Sequence, residues 1–481
     1  MVIHDRHSIV LEMDNLGDEA DAWANGHGLQ MMTGTDEMCT HAPITVLPSP
    51  FDKNAFNLAK ELALPFNRLV DSVARNTPWL YSTLENVTDD FTQRLMHISK
   101  SMEEEGISQK YYLGINRSDY MSHEGKALLQ IELNTIASSF GCLSARVSEM
   151  HRFLLGRYSN NPALSSMYES EHLEGLRDSI SERLPENCAD KGISLALATA
   201  AKLQNAGKQS DATIAFVVQP GEKNSFDQRM LEYDLWTSHG VGVVRITMND
   251  VALYGAIADG CLLVHGIHIS VVYFRAGYTP SDYPTEIEWQ GRSIIERSNA
   301  IKCPSIAYHL VGTKKVQQKL AVAGELEKFV TPGDSTMLRR SFAGLWSLDP
   351  TDIESSQDAI QLAIGDPSKY VVKPQREGGG NNFYGDQVKK ALTTMKKEEL
   401  AAYILMARIF PLEISSPLLR KGKVQLCKCV QELGVYGCFL GNGDDVVFNT
   451  QVGHLLRTKA VGVDEGGVAT GFSCLDSPLL I

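Results

Sequence analysis

Residues 370–384 read YVVKPQREGGGNNFY. A short apolar run, Tyr370 to Val372, delivers Lys373, Pro374, Gln375, Arg376 and Glu377, then three glycines and two asparagines. Gly378, Gly379 and Gly380 have no Cβ, so successive backbone N–H groups can turn toward an anion. Lys373 adds a point charge of the kind phosphates attract. Glu377 adds a carboxylate suited to a hard cation such as Mg²⁺. The stretch therefore reads as a strand running into a cradle for a polyphosphate and its metal. A solvated turn is the plainer alternative. Triple glycine alone would not exclude it, but the whole ordered string favours the cradle.

The rest of the chain narrows the class. Its 481 residues suffice for two or three domains or one large composite domain. A hydrophobic share of 43% and a charged share of 21% are ordinary for a globular protein. A formal net charge of −13 argues against nucleic acid as a partner, so local basic positions are read as specific anion pockets. The acidic start, MVIHDRHSIVLEMDNLGDEADAW, has neither the apolar core of a secretory signal nor an Arg/Ser-rich transit pattern. The apolar run from Cys261 to Phe274 is too short and too polar to span a bilayer, so no membrane association is expected. Nine cysteines show no repeated spacing. The C-x-C at Cys427 and Cys429 reads as packed thiols in a strand, and a reducing cytoplasm fits best.

Residues 1–50 show no clear periodicity and are expected to form a poorly ordered lead-in. From Phe51 onward, Ala55, Leu58, Leu62, Phe66, Leu69 and Val73 fall at helical spacing behind a Ser49-Pro50 start signal. Phe153 to Arg183 also reads as mostly helical. Strands are predicted at Thr213–Gln219, Val241–Thr247 and His268–Arg275, and a helix at Glu286–Asn299. This alternation makes residues 213–313 a compact α/β unit with a parallel sheet. It divides the chain into 51–212, 213–313 and 314–481.

Several smaller constellations bear on chemistry. In LLQIELN, residues 128–134, strand alternation puts Gln130, Glu132 and Asn134 on one face. A carboxylate and an amide oxygen two residues apart can both reach one Mg²⁺, although the pattern alone favours an edge strand with a solvated polar face. The following TIASSFG, 135–141, is small and hydroxyl-rich, able to present backbone and serine groups to a ligand. Arg117 could receive a carboxylate or acyl phosphate, or could simply pair with Asp119. Arg275 ends a strand, where α/β sheets gather their ligands. Gly312-Thr313-Lys314-Lys315 is not a P-loop, since G-x-x-x-x-G-K-[ST] is absent from the chain. Lys314 reads by default as half of a solvated lysine pair, with a phosphate contact as the alternative. Arg457 and Lys459 alternate into one site, a second glycine-rich turn follows at 464–471, and His454 reads as structural. No Ser–His–acid set or H-E-x-x-H motif supports a hydrolase.

Taken in order, RSDYM (117–121), IELNTIASSFG (131–141), KNSFDQR (223–229), VVYFRAGY (271–278), KCPSIAYHLVGTKKVQQ (302–318), KPQREGGGNNFYG (373–385), ELGVYG (432–437) and GHLLRTK (453–459) resemble the eukaryotic glutathione synthetase family. The resemblance runs from about Phe51 to the C-terminus, and GYTPSDYP (277–284) looks most like the plant members. It implies an α/β ATP-grasp fold with an inserted parallel-sheet substrate domain and a glycine-rich lid. The implied activity is ligation of γ-glutamylcysteine and glycine with ATP, with Mg²⁺, two ions per subunit, and a homodimeric assembly. A cytoplasmic location is implied, with a plastid pool left open. A ligase using β-alanine or serine, or a silent nucleotide-binding scaffold, are the alternatives.

The resemblance also assigns positions. Glu132, Asn134 and Glu377 match magnesium ligands. Lys314, Lys373, Pro374, Gln375, Arg376, Glu377 and the loop Gly378, Gly379, Gly380, Asn381, Asn382 match ATP contacts. So do Tyr384, Met406, Ala407, Arg408, Ile409, Glu432, Lys459 and Glu465. The dipeptide and glycine contacts match Arg117, Ile136, Ala137, Ser138, Ser139, Glu222, Lys223, Asn224, Gln228, Arg275, Arg457, Val468 and Ala469. Arg117 and Arg457 are the implied catalytic pair. Ala407 departs from the polar or acidic residue usual there, a change that costs little if backbone groups read the nucleobase.

Overall fold

The computed structural model describes residues 6–33, 38–125, 127–159, 161, 164, 168, 176–207, 211–375, 382–463 and 466–481. Its spine is a pair of long antiparallel strands, Lys423–Gly441 and Val446–Ala460. Tyr112–His123 and then Ala127–Asn134 extend the sheet on one side. Ser473–Asp476, Ile44–Thr45 and Ile414–Arg420 extend it on the other. Ile414–Arg420 also pairs with Lys423–Gly441, so this side curls round and closes on itself.

Alternation along the spine decides which helix lies where. Leu433, Val435 and Leu456 meet helix Lys53–Arg75 through Leu62, Phe66 and Leu69. Asp52 caps that helix by accepting from the Ala55 N–H at 2.6 Å, so the helix starts after the Ser49-Pro50 signal, which lies in a short strand. Tyr436, Cys438, Leu440 and Leu455 face the other way, under helices Gly141–Tyr158 and Ala189–Gln204. Each such buried Leu or Phe contributes roughly 1.5–3 kcal/mol. Toward residues 430–434 and 457–459 the apolar pattern on this second face gives way to Glu432, Arg457 and Lys459.

Two smaller sheets flank this frame. The first is wholly parallel, in the order Ile301–Cys303, Val271–Phe274, Thr213–Val217, Gly242–Ile246. Helices Ser225–His239 and Glu286–Arg297 belong to it, and a separate antiparallel trio spans Gly255–Ile269. The predicted strand at 268–275 is therefore split: Ile267–Ile269 joins the trio and Val271–Phe274 the parallel sheet. The other flanking sheet is antiparallel, in the order Leu345–Ser347, Tyr403–Ala407, Tyr370–Pro374, Phe383–Tyr384. It has its own core of Leu348, Ala363, Val372, Val388 and Leu405.

The expected lead-in is instead built structure. Helix Arg6–Gly26 and strands Gln30–Met32, Cys39–His41, Ile44–Thr45 and Ser49–Phe51 occupy it. Leu16, Ala20, Ala24 and Leu29 are fully buried in the core shared with helix Gly141–Tyr158. The expected helix over 153–183 is represented by the end of Gly141–Tyr158 and by Leu176–Arg183, and most of the residues between lie outside the described set. No disulfide joins any of the nine cysteines, all of which lie among the described residues. Among the described residues, no helix is long and apolar enough to cross a membrane.

Candidate active site

The charged end of the central sheet gathers residues from four strands. Tyr436 pairs with Arg117, Gly434 with Asp119, Glu432 with Arg457, and Asp119 with Glu132. Directly paired residues share a face, so these side chains converge. Arg117 Nε and Nη2 grip the two oxygens of Asp119 at 2.7 and 2.8 Å. The pairing with Asp119 raised for Arg117 is thus present, and Arg117 itself lines the cleft described below. Arg457 Nη2 donates to Asp119 Oδ2 at 2.9 Å and also to Glu432 Oε1. Gly434 makes this possible, because a Cβ there would lie 2.7 Å from Asp119 Oδ1 and 2.8 Å from Arg117 Cδ. Burial pushes the Glu432 carboxyl above its ordinary value, Arg457 pulls it back, and Asp119 and Glu132 add to the push.

Glu132 and Asn134 share this face, but Gln130 does not. The register slips at Tyr120, which pairs with Gln130 while Asp119 pairs with Glu132, leaving Ile131 as the extra residue of a bulge. Gln130 is turned away and donates to Ser118 Oγ at 2.6 Å. Lys314 meets Glu132 with Nζ 2.8 Å from Oε2. Burial would raise the Glu132 carboxyl, but Lys314, with Lys373 and Arg457 behind it, holds it well below the ordinary range. The lysine pair is not solvated. Lys314 and Lys315 are only 5% and 3% exposed, and Lys315 Nζ bonds Ser347 Oγ at 2.7 Å beside Asp349 and Asp352. Burial lowers Lys373 to about 8, and the like charges of Lys314 and Lys459 add to this.

The turn after Asn134 is held from two sides. Ala137 and Phe140 adopt φ of +50° and +73°, conformations that cost of order 1 kcal/mol or more each for residues with a Cβ. The Asp227 carboxylate accepts from the N–H groups of Phe140 at 2.9 Å, Cys142 at 2.9 Å and Leu143 at 3.2 Å, capping helix Gly141–Tyr158 from another element. Tyr436 OH donates to Ser139 O. Arg275 donates to Ser138 O at 3.1 Å and Ser139 Oγ at 2.8 Å, while its Nε stays buried without a partner. Asn224, 3% exposed, leaves both side-chain polar atoms unpartnered, and Arg457 Nε is likewise bare.

Part of this set lines one cleft of about 510 Å³. Arg117, Glu132, Asn134, Ile136, Ala137, Ser138 and Ser139 form part of its wall, with Glu222, Lys223, Asn224 and Arg275 at the parallel sheet. Lys314, Lys373, Asn382, Tyr384, Glu432, Arg457, Lys459, Val468 and Ala469 complete it. A second cavity of about 270 Å³, walled by Met406, Ala407, Arg408 and Ile409, shares Met121, Ile131, Lys373, Tyr384 and Lys459 with the first. The N–H groups of Ala407 and Arg408 are taken by Gly344 O and Lys369 O, each at 2.8 Å, so a nucleobase there would be met by other backbone groups of Met406–Ile409.

Three expected contacts sit behind the walls. Gln228 is fully buried against Glu222 and Arg245. Pro374 is buried, and Gln375 Oε1 accepts from the Lys315 N–H at 2.7 Å. Arg376, Glu377, Gly378, Gly379, Gly380, Asn381 and Glu465 lie outside the described residues. Sequence reasoning gave no role to Tyr436 or Asp227, and named Asp119 only as a partner for Arg117. All three occur within the recurrent motifs, the only signal that could have marked them.

For a divalent cation, Glu132 and Asn134 supply a carboxylate and an amide on one strand face, the donor chemistry Mg²⁺ takes. Asn134 Nδ2 donates to Asp119 Oδ2 at 3.0 Å, which orients the amide. The pair fits a cation that would displace Lys314 from Glu132. Among the described residues no group of three or more His, Cys, Asp or Glu side chains is arranged to hold a metal.

The family described as eukaryotic glutathione synthase, ATP-binding domain, matches residues 11–480. The chain belongs to this family. The match takes in residues 11–50, upstream of the Phe51 at which the resemblance begins. Glutathione synthetase of Dictyostelium discoideum is 42% identical, with 98% of this chain and 99% of that one aligned. The chloroplastic glutathione synthetase of Arabidopsis thaliana is 41% identical over 98% of this chain and 88% of its own length. The human glutathione synthetase is 40% identical over 97% of each. The same fold is seen in a glutathione synthetase-like effector of Globodera pallida, at a TM-score of 0.75, 21% identity, and coverage of 97% and 96%.

Proposed function

We propose that this chain ligates γ-glutamylcysteine to glycine with ATP, releasing ADP and phosphate. The observation that carries this is the adjacency of the two cavities. The hollow beside Met406–Ile409 shares Lys373 and Lys459 with a cleft whose lining includes buried side chains with unpartnered polar atoms at Asn224, Arg275 and Arg457. That arrangement suits a polyphosphate in the middle, with a polar acceptor substrate beyond it.

The chemistry asks for positioning and charge neutralisation rather than a protein nucleophile. The cysteinyl carboxylate attacks the γ-phosphorus and ADP departs, giving an acyl phosphate. The glycine nitrogen then attacks the carbonyl carbon and phosphate leaves. Lys314, Lys373 and Lys459 hold the phosphates, and Asn382, Tyr384 and Glu432 border them. Arg457 and Arg117 face the charge that develops at the carbonyl, an electrostatic role worth several kcal/mol. Asn224 and Arg275 hold the γ-glutamyl end, and Ile136–Ser139 flank the reacting carboxylate. Val468 and Ala469 leave room for a small amine. Glu132, Asn134 and Glu377 are the side chains that would hold Mg²⁺, which when bound neutralises phosphate oxygens and polarises the γ-phosphate.

Residues 213–313 serve as the substrate-binding unit in this reading, and the sheet of residues 345–407 bears the glycine-rich lid. We further propose a cytoplasmic homodimer, to be checked by fractionation and by sedimentation of the full chain. The test of function is ADP release with Mg²⁺ and γ-glutamylcysteine, with glycine, β-alanine or serine in parallel. Glycine-dependent release is expected. A preference for β-alanine or serine would change the product assigned, and no release with any acceptor would overturn the ligase reading.

A further inference from the structure

The stretch Gly277–Pro284, GYTPSDYP, follows closely on Arg275. It is an unusually tied loop. Asp282 Oδ2 accepts from the N–H groups of Gly277 at 2.9 Å, Tyr278 at 3.0 Å and Thr279 at 3.1 Å, and from Thr279 Oγ1 at 3.2 Å. One carboxylate oxygen thus gathers three consecutive backbone donors, a charge-assisted arrangement stronger than neutral turn bonds. Tyr283 closes the loop from below, its OH donating to Gly277 O at 3.2 Å. The Tyr283 ring stacks on Trp289 at 4.0 Å between centroids and is buried. Gly277 sits at φ +94°, and a Cβ there would come within 3.0 Å of both Tyr283 OH and Met248 Cε. The conformation is therefore fixed from three directions.

What the loop presents is Tyr278, which lines the cleft beside Arg275, Asn224 and Ser138. Asp282 and Tyr283 do not line that cleft. We propose that Asp282 is a positioning residue for the dipeptide: it latches the 277–279 backbone so that Arg275 and Tyr278 are held ready at the far end of the cleft. Tyr283 is the second pin of the same latch. The cost of ordering this wall is met on folding rather than on binding, which is what preorganisation supplies. The nucleotide cavity lies at the opposite end and shares none of these residues, so the latch acts on one substrate only.

The inference rests on the proposed dipeptide substrate, and the experiment separates the two. Binding of γ-glutamylcysteine and of ATP with Mg²⁺ is measured calorimetrically on the full chain for wild type, Asp282→Ala, Asp282→Asn and Tyr283→Phe, alongside melting temperatures and kcat. Asp282→Ala is expected to weaken the dipeptide about tenfold and to raise its KM in step, with ATP affinity and saturated kcat within about twofold. Asp282→Asn keeps an acceptor oxygen and is expected to recover most of the loss. Tyr283→Phe removes one hydroxyl and is expected to weaken the dipeptide about threefold, which keeps the test decisive should Asp282→Ala fail to fold. Unchanged dipeptide binding in the folded variants would overturn the latch, as would equal losses for ATP and dipeptide that track the melting temperature. A wild-type chain that binds ATP but no dipeptide would overturn the substrate reading, and the latch with it.

Discussion

Lys373 carries the sharpest prediction. Burial and the neighbouring ammonium groups of Lys314 and Lys459 lower it from an ordinary 10.5 to about 8. At ~1.36 kcal/mol per pH unit, the charged form is disfavoured by about 3 kcal/mol in the empty cleft. In the unfolded chain the lysine is charged up to about pH 10. The shift therefore destabilises the empty fold below pH 8, and that cost is relieved as pH rises from about 8 to 10.5. A polyphosphate reverses the preference, so ATP must bind together with a proton once the lysine is neutral. If the bound value lies well above 9, the protonation factor changes from about 1.1 at pH 7 to about 11 at pH 9, and the dissociation constant for ATP should rise about tenfold, or ~1.4 kcal/mol. Isothermal calorimetry at pH 7, 8 and 9, in buffers of different ionisation enthalpy, reads both the affinity and the proton uptake, about half a proton at pH 8. Lys373→Arg does not titrate and should abolish the slope. A flat affinity in the wild-type chain, or an unchanged slope in the arginine variant, would refute the reasoning.

Other substitutions test the arginine and metal assignments. Arg457→Ala is expected to lower kcat by about 10²–10³ with a much smaller effect on ATP affinity, and a pure loss of ATP affinity would remove it from the transition state. Gly434→Ala should disable the site without touching a ligand, because the new Cβ collides with Asp119 and Arg117; an activity within about threefold of wild type would show the pair can yield. Glu377→Gln is expected to abolish Mg²⁺-dependent turnover while the circular dichroism spectrum stays unchanged, and near-normal turnover would count against its ligand role.

What the sequence disclosed and what it hid have physical causes. Glu132, Asn134, Arg457 and Lys459 were legible because strand alternation is local. The same rule misplaced Gln130, because a bulge is set by pairing with a distant strand rather than by the strand itself. The N-terminal helix escaped notice because, beside Leu16, its buried face is built from Ala20 and Ala24, small residues that give a weak periodic signal. Lys314 looked solvated because nothing nearby in the chain announces Glu132, 182 residues away, as its partner. The α/β unit was legible from strand–helix alternation, whereas the curled side of the central sheet joins residues 44–45 to 473–476 and 414–420, contacts no local pattern encodes. The substrate class came from ordered motifs, not from any single constellation.

The lysines proposed to hold phosphate do not all come from one part of the molecule. Lys373 lies on the small antiparallel sheet and Lys459 on the central one, whereas Lys314 opens the helix Lys314–Ala321, which touches both. Each already depresses the charge on Lys373. On the proposed function, these like charges repel one another across the joint until an anion enters, and a polyphosphate between them would turn that repulsion into adhesion. The nucleotide is thus mortar as well as reactant: any multivalent anion small enough to enter should stiffen the joint, and its departure should loosen it.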